Sequence, residues 1–367
     1  MSTFDDIQAL VGNPLPAEAR TATLLAGSLG ESPSKYSRSP GMWNAAFRET
    51  GLDACYVPFD VPPERLAALV SALREYPGFM GGNVTVPHKL AVMPLLDEVD
   101  PTAARIGAVN TFERTADGRL VGYNSDADGL IASITRPLPG ESAPFLASLE
   151  GRHALLLGAG GAGRAGAFAL AANLGGGRLT LTNRSLTKAR ELAADVRVVF
   201  DQVEVVSQDD ALGFLGSVDV VVNTSTVGQS GIWHLPGGLA TTLEPYSSLA
   251  PAHPLTQAWT GDEASWRRSW WPAALSSINA NNEKSGVALA ECSPHAAFVD
   301  AVYSPAETTL LRQARLAGHP ARNGRGMLIM QAAISFTRRM TRRHLEAAGQ
   351  DPDTLFDRIV AVMSGAY

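Results

Sequence analysis

Three glycines, Gly158, Gly160 and Gly163, lie between an apolar stretch, Ala154–Leu157, and a helix-forming one, Arg164–Leu174. A G-x-G-x-x-G turn means little by itself in a chain with 35 glycines. Between a strand and a helix it acquires a mechanism. Glycines permit the tight turn, and backbone N–H groups at the positive end of the helix can close on a pyrophosphate. A second apolar strand, Leu179–Thr182, ends about twenty residues further on, as a dinucleotide fold requires. There an NAD-binding fold carries an acid for the ribose 2′-hydroxyl, whereas this chain has Asn183, Arg184 and Ser185, with Lys188 one turn later. Two cations and no acid suit a 2′-phosphate. The expectation is a Rossmann-type NADP site, with Gly158, Gly160, Gly161, Ala162 and Gly163 at the pyrophosphate and Asn183, Arg184, Ser185 and Lys188 at the adenosine phosphate.

On both sides of this turn, short apolar runs alternate with amphipathic ones, which predicts an α/β fold with largely parallel sheets. Upstream, ATLLAGSLG, CYVPFDV and FMGGNVTV read as strands, and GMWNAAFRETG, PPERLAALVSALREY and PHKLAVMPLL as helices. A hairpin is expected through Asp117-Gly118. Downstream, RLTLT, VEVVS and VDVVVNTS continue the parallel pattern, and the segments from Met327 to Arg343 and from Pro352 to Met363 read as helical. Residues 136–150, with three prolines, suit a hinge. The predicted organisation is a substrate-binding catalytic domain at 1–135, a dinucleotide-binding domain at 136–322, and C-terminal helices at 323–367 that return to the first domain. Residues 229–296 hold five of the six tryptophans and read as turn-rich, without periodicity. Exposed tryptophan is costly, so several are expected to be buried, against the cofactor domain or at a subunit contact.

The net charge of -6 and the absence of basic blocks argue against nucleic acid or acidic membrane as partners. Cys55 and Cys292 are the only cysteines, and neither has metal-ligand spacing. A soluble cytoplasmic enzyme with no metal, a monomer or homodimer acting on a small molecule, is the expectation. The N-terminus lacks a secretory pattern, and no apolar run reaches membrane-spanning length.

Four polar segments fall at the ends of the upstream strands, where α/β folds gather ligands: Ser37-Arg38-Ser39-Pro40, Asn83 to Lys89, Gly107 to Thr111, and Tyr123 to Asp126. In order and spacing, S-x-S-P, N-V-T-x-P-x-K, G-A-x-N-T and N-x-D-x-x-G resemble the shikimate dehydrogenase family. The similarity resumes at Asn223-Thr224, at Asp300 to Pro305 with Thr308, and at Gly324 to Leu328 through Gln331. The resemblance implies an NADP-dependent dehydrogenase that interconverts 3-dehydroshikimate and shikimate. It implies that Ser37 and Ser39 hold the substrate carboxylate, and that Thr85, Asn110, Asp126 and Gln331 bond its ring hydroxyls. Tyr303 joins the substrate side, and Thr224, Gly326 and Met327 the cofactor side. Lys89 and Asp126 would be the catalytic pair. Ketone reduction puts hydride on carbon and a proton on oxygen, and an ammonium fixed by a carboxylate is a competent donor. His88, beside Lys89, is expected to be structural.

The chain departs from the family pattern at Tyr36 and Trp43, where histidines are usual, at Ser125 in place of threonine, and after Thr224, where a proline is lost. Tyr36 and Trp43 are expected to flank the carboxylate end. Quinate dehydrogenase activity and a non-catalytic sensor of metabolite or cofactor are the alternatives.

Overall fold

The computed structural model describes residues 2–367. They form two compact units: the residues before Phe145 together with Met327–Tyr367, and Phe145–Gly326.

The first unit opens with α1 (Phe4–Leu10) and α2 (Ala17–Thr21) and continues through β1 (Leu24–Gly30), α3 (Pro33–Tyr36), α4 (Ser39–Thr50), β2 (Ala54–Asp60), α5 (Leu66–Glu75) and β3 (Phe79–Val84). Then follow β4 (Glu98–Val99), α6 (Pro101–Ile106), β5 (Thr111–Arg114), β6 (Leu120–Tyr123) and α7 (Asp126–Thr135). One sheet results, in the order β2-β1-β3-β5-β6-β4. β1 is parallel to β2 and β3, and β5 and β6 form the expected antiparallel hairpin. Leu25 and Leu29 of β1 enter one core with Ile7, Leu69 and Leu73, while Ala26 enters the opposite core with Trp43, Phe47 and Tyr56. Burial on both faces is why this strand reads as a continuous apolar run.

The second unit runs through β7 (His153–Leu157), α8 (Gly161–Asn173), β8 (Arg178–Thr182), α9 (Leu186–Arg197), β9 (Val203–Val205), α10 (Gln208–Leu212) and β10 (Val220–Asn223). Beyond these lie β11 (Trp233–Leu235), β12 (Leu239–Thr241), β13 (Gln257–Ala258), α11 (Glu263–Ala290), β14 (Ala297–Asp300), α12 (Thr309–Leu316) and β15 (Ala321–Arg322). Its main sheet is parallel throughout, in the order β15-β14-β10-β7-β8-β9. The chain ends in α13 (Arg325–Ser335), α14 (Arg342–Ala347) and α15 (Pro352–Gly365). No helix among the described residues is long and apolar enough to cross a membrane.

Three expectations need correction. The helix expected over Pro87–Leu96 is a series of turns with only a 3₁₀ turn at Met93–Leu95. Its groups bond outward: His88 Nε2 lies 2.8 Å from the Val61 carbonyl, and the Lys89 carbonyl accepts from Val109 N–H at 2.8 Å. The continuous helix expected over Met327–Arg343 is broken by a π-turn at Phe336–Met340, which buries both Phe336 and Met340. Residues 229–296 are not turn-rich alone, since they contain the 28-residue α11. Its buried stripe, Trp266, Trp270, Ala274, Ile278, Asn281, Ser285 and Ala288, advances in steps of three and four. Polar and small residues occupy four of those seven positions while Trp271, Leu275 and Val287 are exposed, so hydrophobicity does not follow the turn of the helix.

The tryptophans build a core of their own. Trp266 and Trp270 stack at 5.4 Å and pack with Ala240, Tyr246, Ala274 and Ile278, with Trp259 at the margin. Below this core, Asn281 Nδ2 donates to the carbonyls of Ser247, Ala250 and Pro251, and its Oδ1 accepts from Ser247 N–H at 2.7 Å. Trp266→Ala is therefore expected to cost about 3–5 kcal/mol, while Trp271→Ala, at a half-exposed site, should stay within about 0.5 kcal/mol. Urea unfolding followed by near-UV circular dichroism measures both.

At the end of β14, Asp300 is fully buried, and burial pushes its carboxyl up to about 6 against the hydrogen bonds from Thr308, Val302 and Asn223. Between the unfolded and folded values the folded protein keeps a proton that the unfolded chain has lost. Stability should therefore fall as pH rises through about 4 to 6, by about 3 kcal/mol in all. Asp300→Asn should flatten this part of the stability profile, and unfolding midpoints from pH 4.5 to 7.5 decide it.

Candidate active site

The polar groups of the first unit converge because three strand ends and one helix start meet at the same edge of its sheet. Asn110 precedes β5, its N–H donating to the Tyr123 carbonyl and its carbonyl accepting from Val84 N–H, so its side chain is set between β3 and β6. Asp126 is the first residue of α7, where a negative charge is favoured by the helix dipole. The cap of α7 is supplied by Asn124, whose Oδ1 accepts from the N–H groups of Asp126 and Ala127 at 3.1 and 3.3 Å. The Asp126 carboxylate is thereby left for side-chain partners.

Those partners are Lys89 and Asn110. Lys89 Nζ donates to Asp126 Oδ2 at 2.5 Å, and Asn110 Nδ2 donates to Asp126 Oδ1 at 2.8 Å. The Lys89 side chain is 16% exposed and that of Asp126 8%, so the ammonium has an open side and the carboxylate almost none. Asn110 Oδ1 accepts from Ser125 N–H at 2.7 Å, which turns the amide so that its NH₂ faces the carboxylate. Gln331 of α13 brings Oε1 to within 3.4 Å of Asn110 Nδ2 and 3.3 Å of Ser125 Oγ. That approach depends on Gly129, since a Cβ there would lie 2.6 Å from the Cβ of Gln331.

The remaining substrate-side positions are distributed unevenly. Ser37 and Ser39 lie at the start of α4, both partly buried, with Ser39 N–H donating to Ser37 Oγ at 3.2 Å. Both hydroxyls lie at the N-terminus of a twelve-residue helix, where the helix dipole favours negative charge. Thr85 follows β3 and is partly buried. Tyr303 belongs to the second unit. The two family departures part company here: Tyr36 is 41% exposed, whereas Trp43 is fully buried. Trp43 stacks on Tyr56 at 4.9 Å and touches Phe47 and Phe336, so it serves the core and does not flank a ligand. His88 is buried on the Val61 carbonyl, in keeping with a structural role.

Beneath these groups lies a network that spacing did not reveal. Tyr56 OH donates to Asn83 Oδ1 at 2.9 Å, and Asn83 Nδ2 donates to Thr111 Oγ1 and Ser335 Oγ at 2.9 and 3.2 Å. All four residues are buried. Asn83 and Thr111 stood in the polar segments, but Tyr56 and Ser335 come from an apolar strand and a helix and carried no signal of their own.

In the second unit the glycine turn has the shape a pyrophosphate requires. Gly158 has φ +110°, and a Cβ on Gly163 would fall 2.3 Å from the Gly158 carbonyl oxygen. A Cβ on Gly160, by contrast, meets nothing within 4 Å, so the open face above the start of α8 is where a ligand can approach backbone. Gly161 and Ala162 supply the first N–H groups of α8, which has no side-chain cap. Thr224 Oγ1 donates to the Leu157 carbonyl at 3.0 Å and buttresses the turn. Asn183 ties the turn to the next loop, accepting from Ala159 N–H at 3.3 Å and donating to the Ser185 carbonyl at 3.0 Å, and Ser185 caps α9. Arg184 and Lys188 are exposed and make no ion pair with the described residues. These residues fit NADP: a backbone cradle at α8 and two uncommitted cations at the tip of β8. Gly326 and Met327, at the start of α13, are buried.

The arrangement agrees with what similar proteins are. A family model described as the shikimate dehydrogenase substrate binding domain matches residues 30–112, and one described as shikimate / quinate 5-dehydrogenase matches residues 142–234. The NADP(+) shikimate dehydrogenase of Citrifermentans bemidjiense is 36% identical over 318 residues, 86% of this chain and 89% of the relative. The crystal structure of shikimate 5-dehydrogenase from Thermus thermophilus with NADP(H) and shikimate is 28% identical, with a TM-score of 0.63 over 94% of this chain and 100% of that one. A quinate dehydrogenase from Corynebacterium glutamicum, solved with NAD, is 26% identical, with a TM-score of 0.64 over 93% of this chain and 99% of that one.

Proposed function

The chain belongs to the shikimate dehydrogenase family, and from that premise we propose that it is an NADP-dependent shikimate dehydrogenase with Lys89 and Asp126 as its catalytic pair. The observation that carries the assignment of roles is the partly open Lys89 ammonium held at 2.5 Å by a nearly closed carboxylate. NADPH, when bound, supplies the hydride that reduces the carbonyl carbon of 3-dehydroshikimate.

Lys89 supplies the matching proton. Its ammonium donates to the carbonyl oxygen as that oxygen gains charge, and the same positive charge stabilises the developing alkoxide. Asp126 keeps the ammonium aimed, and Asn110 keeps Asp126 aimed. In the oxidative direction the neutral amine takes the hydroxyl proton back. Asn110 and Gln331 each present both a donor and an acceptor, and Thr85 a hydroxyl, which matches a ring bearing neighbouring hydroxyls. Ser37 and Ser39 at the start of α4 receive the substrate carboxylate. The unit that holds Lys89 acts as the substrate domain and the unit with the glycine turn as the NADP domain, with Thr224, Gly326 and Met327 on the cofactor side and Tyr303 on the substrate side. Both cysteines are free thiols, which suits a reducing cytosol.

Specificity for the 2′-phosphate rests on Arg184 and Lys188, because no acid at the tip of β8 would repel it. Turnover of shikimate with NADP, read as reduced-nicotinamide absorbance, is the first expected result. Quinate as the better substrate would move the activity to the sister reaction on the same pair. Lys89→Ala should lower kcat by about 10²–10⁴-fold while NADP still binds. Wild-type turnover in that variant overturns the proposed pair. Arg184→Ala combined with Lys188→Ala should raise the KM for NADP about tenfold or more with little change for NAD, and an equal effect on both would remove the assignment of these cations.

A further inference from the structure

Asp300 takes no part in that chemistry, yet it is fully buried and satisfies three donors. Its Oδ1 accepts from Asn223 Nδ2 at 2.8 Å and from Val302 N–H at 2.9 Å, and its Oδ2 accepts from Thr308 Oγ1 at 2.7 Å. Each donor belongs to a loop at the C-terminal end of a strand. Asn223 ends β10, and its Oδ1 accepts from the N–H and hydroxyl of Ser225 at 3.0 and 2.7 Å, which shapes the turn after that strand. Val302 and Thr308 bracket the loop that leaves β14, and Thr308 is also the N-cap of α12. A second clasp joins the two loops further out. Ser230 N–H donates to the Ser304 carbonyl at 2.8 Å, and the two hydroxyls lie 2.8 Å apart. Gly228, at φ +92°, lies against Thr308, where an added Cβ would be 3.2 Å from the Thr308 Cβ.

The strand order says what these loops face. The 2′-phosphate cations stand at the tip of β8 and the pyrophosphate turn follows β7. In the sheet order β14-β10-β7-β8 a dinucleotide that starts at β8 and crosses β7 continues towards β10 and β14. The loops after those two strands are therefore on the nicotinamide side.

We propose that Asp300 is a positioning residue: through Asn223 and Thr308 its carboxylate locks the loops after β10 and β14 in the arrangement that receives the nicotinamide half of NADP. This inference rests on the NADP reading above. A locked loop pair contributes little to affinity, which the phosphates supply, and much to ring orientation, on which hydride transfer depends.

The test separates the two halves of the cofactor. Binding of 2′-phospho-ADP-ribose, which has no nicotinamide, is compared with binding of NADPH, whose nicotinamide fluorescence and anisotropy report how the ring is held. Asp300→Ala removes the acceptor, Thr308→Val one donor, and Thr308→Ser keeps the hydroxyl. Asp300→Ala and Thr308→Val should bind 2′-phospho-ADP-ribose within about twofold of wild type, lose the spectral shift and anisotropy of bound NADPH, and lower kcat about tenfold or more at a nearly constant KM for NADP. Thr308→Ser should restore the wild-type signal. If Asp300→Ala does not fold, the Thr308 pair decides the matter. A wild-type NADPH spectrum in Thr308→Val, or parallel weakening of fragment and NADPH as a merely loosened fold would give, overturns the proposal. Absence of shikimate turnover in the wild type would sink the substrate reading alone, because the fluorescence comparison needs no substrate.

Discussion

The first unit is organised around a charge pair kept largely from water. Lys89 and Asp126, at 2.5 Å, would cost more in lost hydration than they regain by attraction if the carboxylate had no further partner. The second oxygen of Asp126 therefore takes Asn110, Asn110 takes Ser125 N–H, and Gln331 closes against both. This requirement reaches well beyond the site. It calls for α7 to begin where it does, for Asn124 to supply its cap, and for α13 to return to the first unit and cross α7 at Gly129. A strand edge, a helix start and a returning helix thus combine to hold one ammonium with an open side.

The second unit meets a different constraint with backbone instead of charge. Its glycine turn is shaped by contacts of the main chain with itself, Gly163 against the Gly158 carbonyl, and with Thr224 behind it. The side chains around it are committed to holding loops: Asn183 joins the turn to the loop after β8, and Asp300 joins the loops after β10 and β14. Arg184 and Lys188, at the tip of β8, are exposed and have no ion-pair partner among the described residues. The division of labour is physical. Donors in fixed geometry suit phosphates, and cations without an ion pair suit a further anionic group at the rim.

The second unit also carries an elaboration with its own core. α11 and the three short strands before it bury Trp266 and Trp270 against each other and against Tyr246 and Ala240. The expected burial of tryptophans holds for Trp266 and Trp270, which lie in a core of their own, while Trp271 stays half exposed. The expectation of a turn-rich segment failed because the buried face of α11 includes Asn281 and Ser285, whose bonds go to Ser247 and its neighbours. A polar residue that is satisfied by a distant loop looks, in one dimension, like a residue that faces water.

Much of the candidate site stood in recognisable segments along the chain. Lys89, Asn110 and Asp126 stood in short polar segments at strand ends, Gln331 was singled out only through the family resemblance, and the glycines stood between a strand and a helix, because local backbone geometry dictates residue type at short range. Nothing local, however, distinguished Tyr36 from Trp43. Only packing against Tyr56, Phe47 and Phe336 turned one into core and left the other beside Thr85. Nor did the sequence pattern foresee the turns around Lys89, which are held open by the Val61 carbonyl and Val109 N–H from other elements. Residue chemistry and spacing determined which groups could act. Tertiary contacts decided which of them meet, because hydrogen bonds and burial depend on distance in space and the chain records distance only along itself.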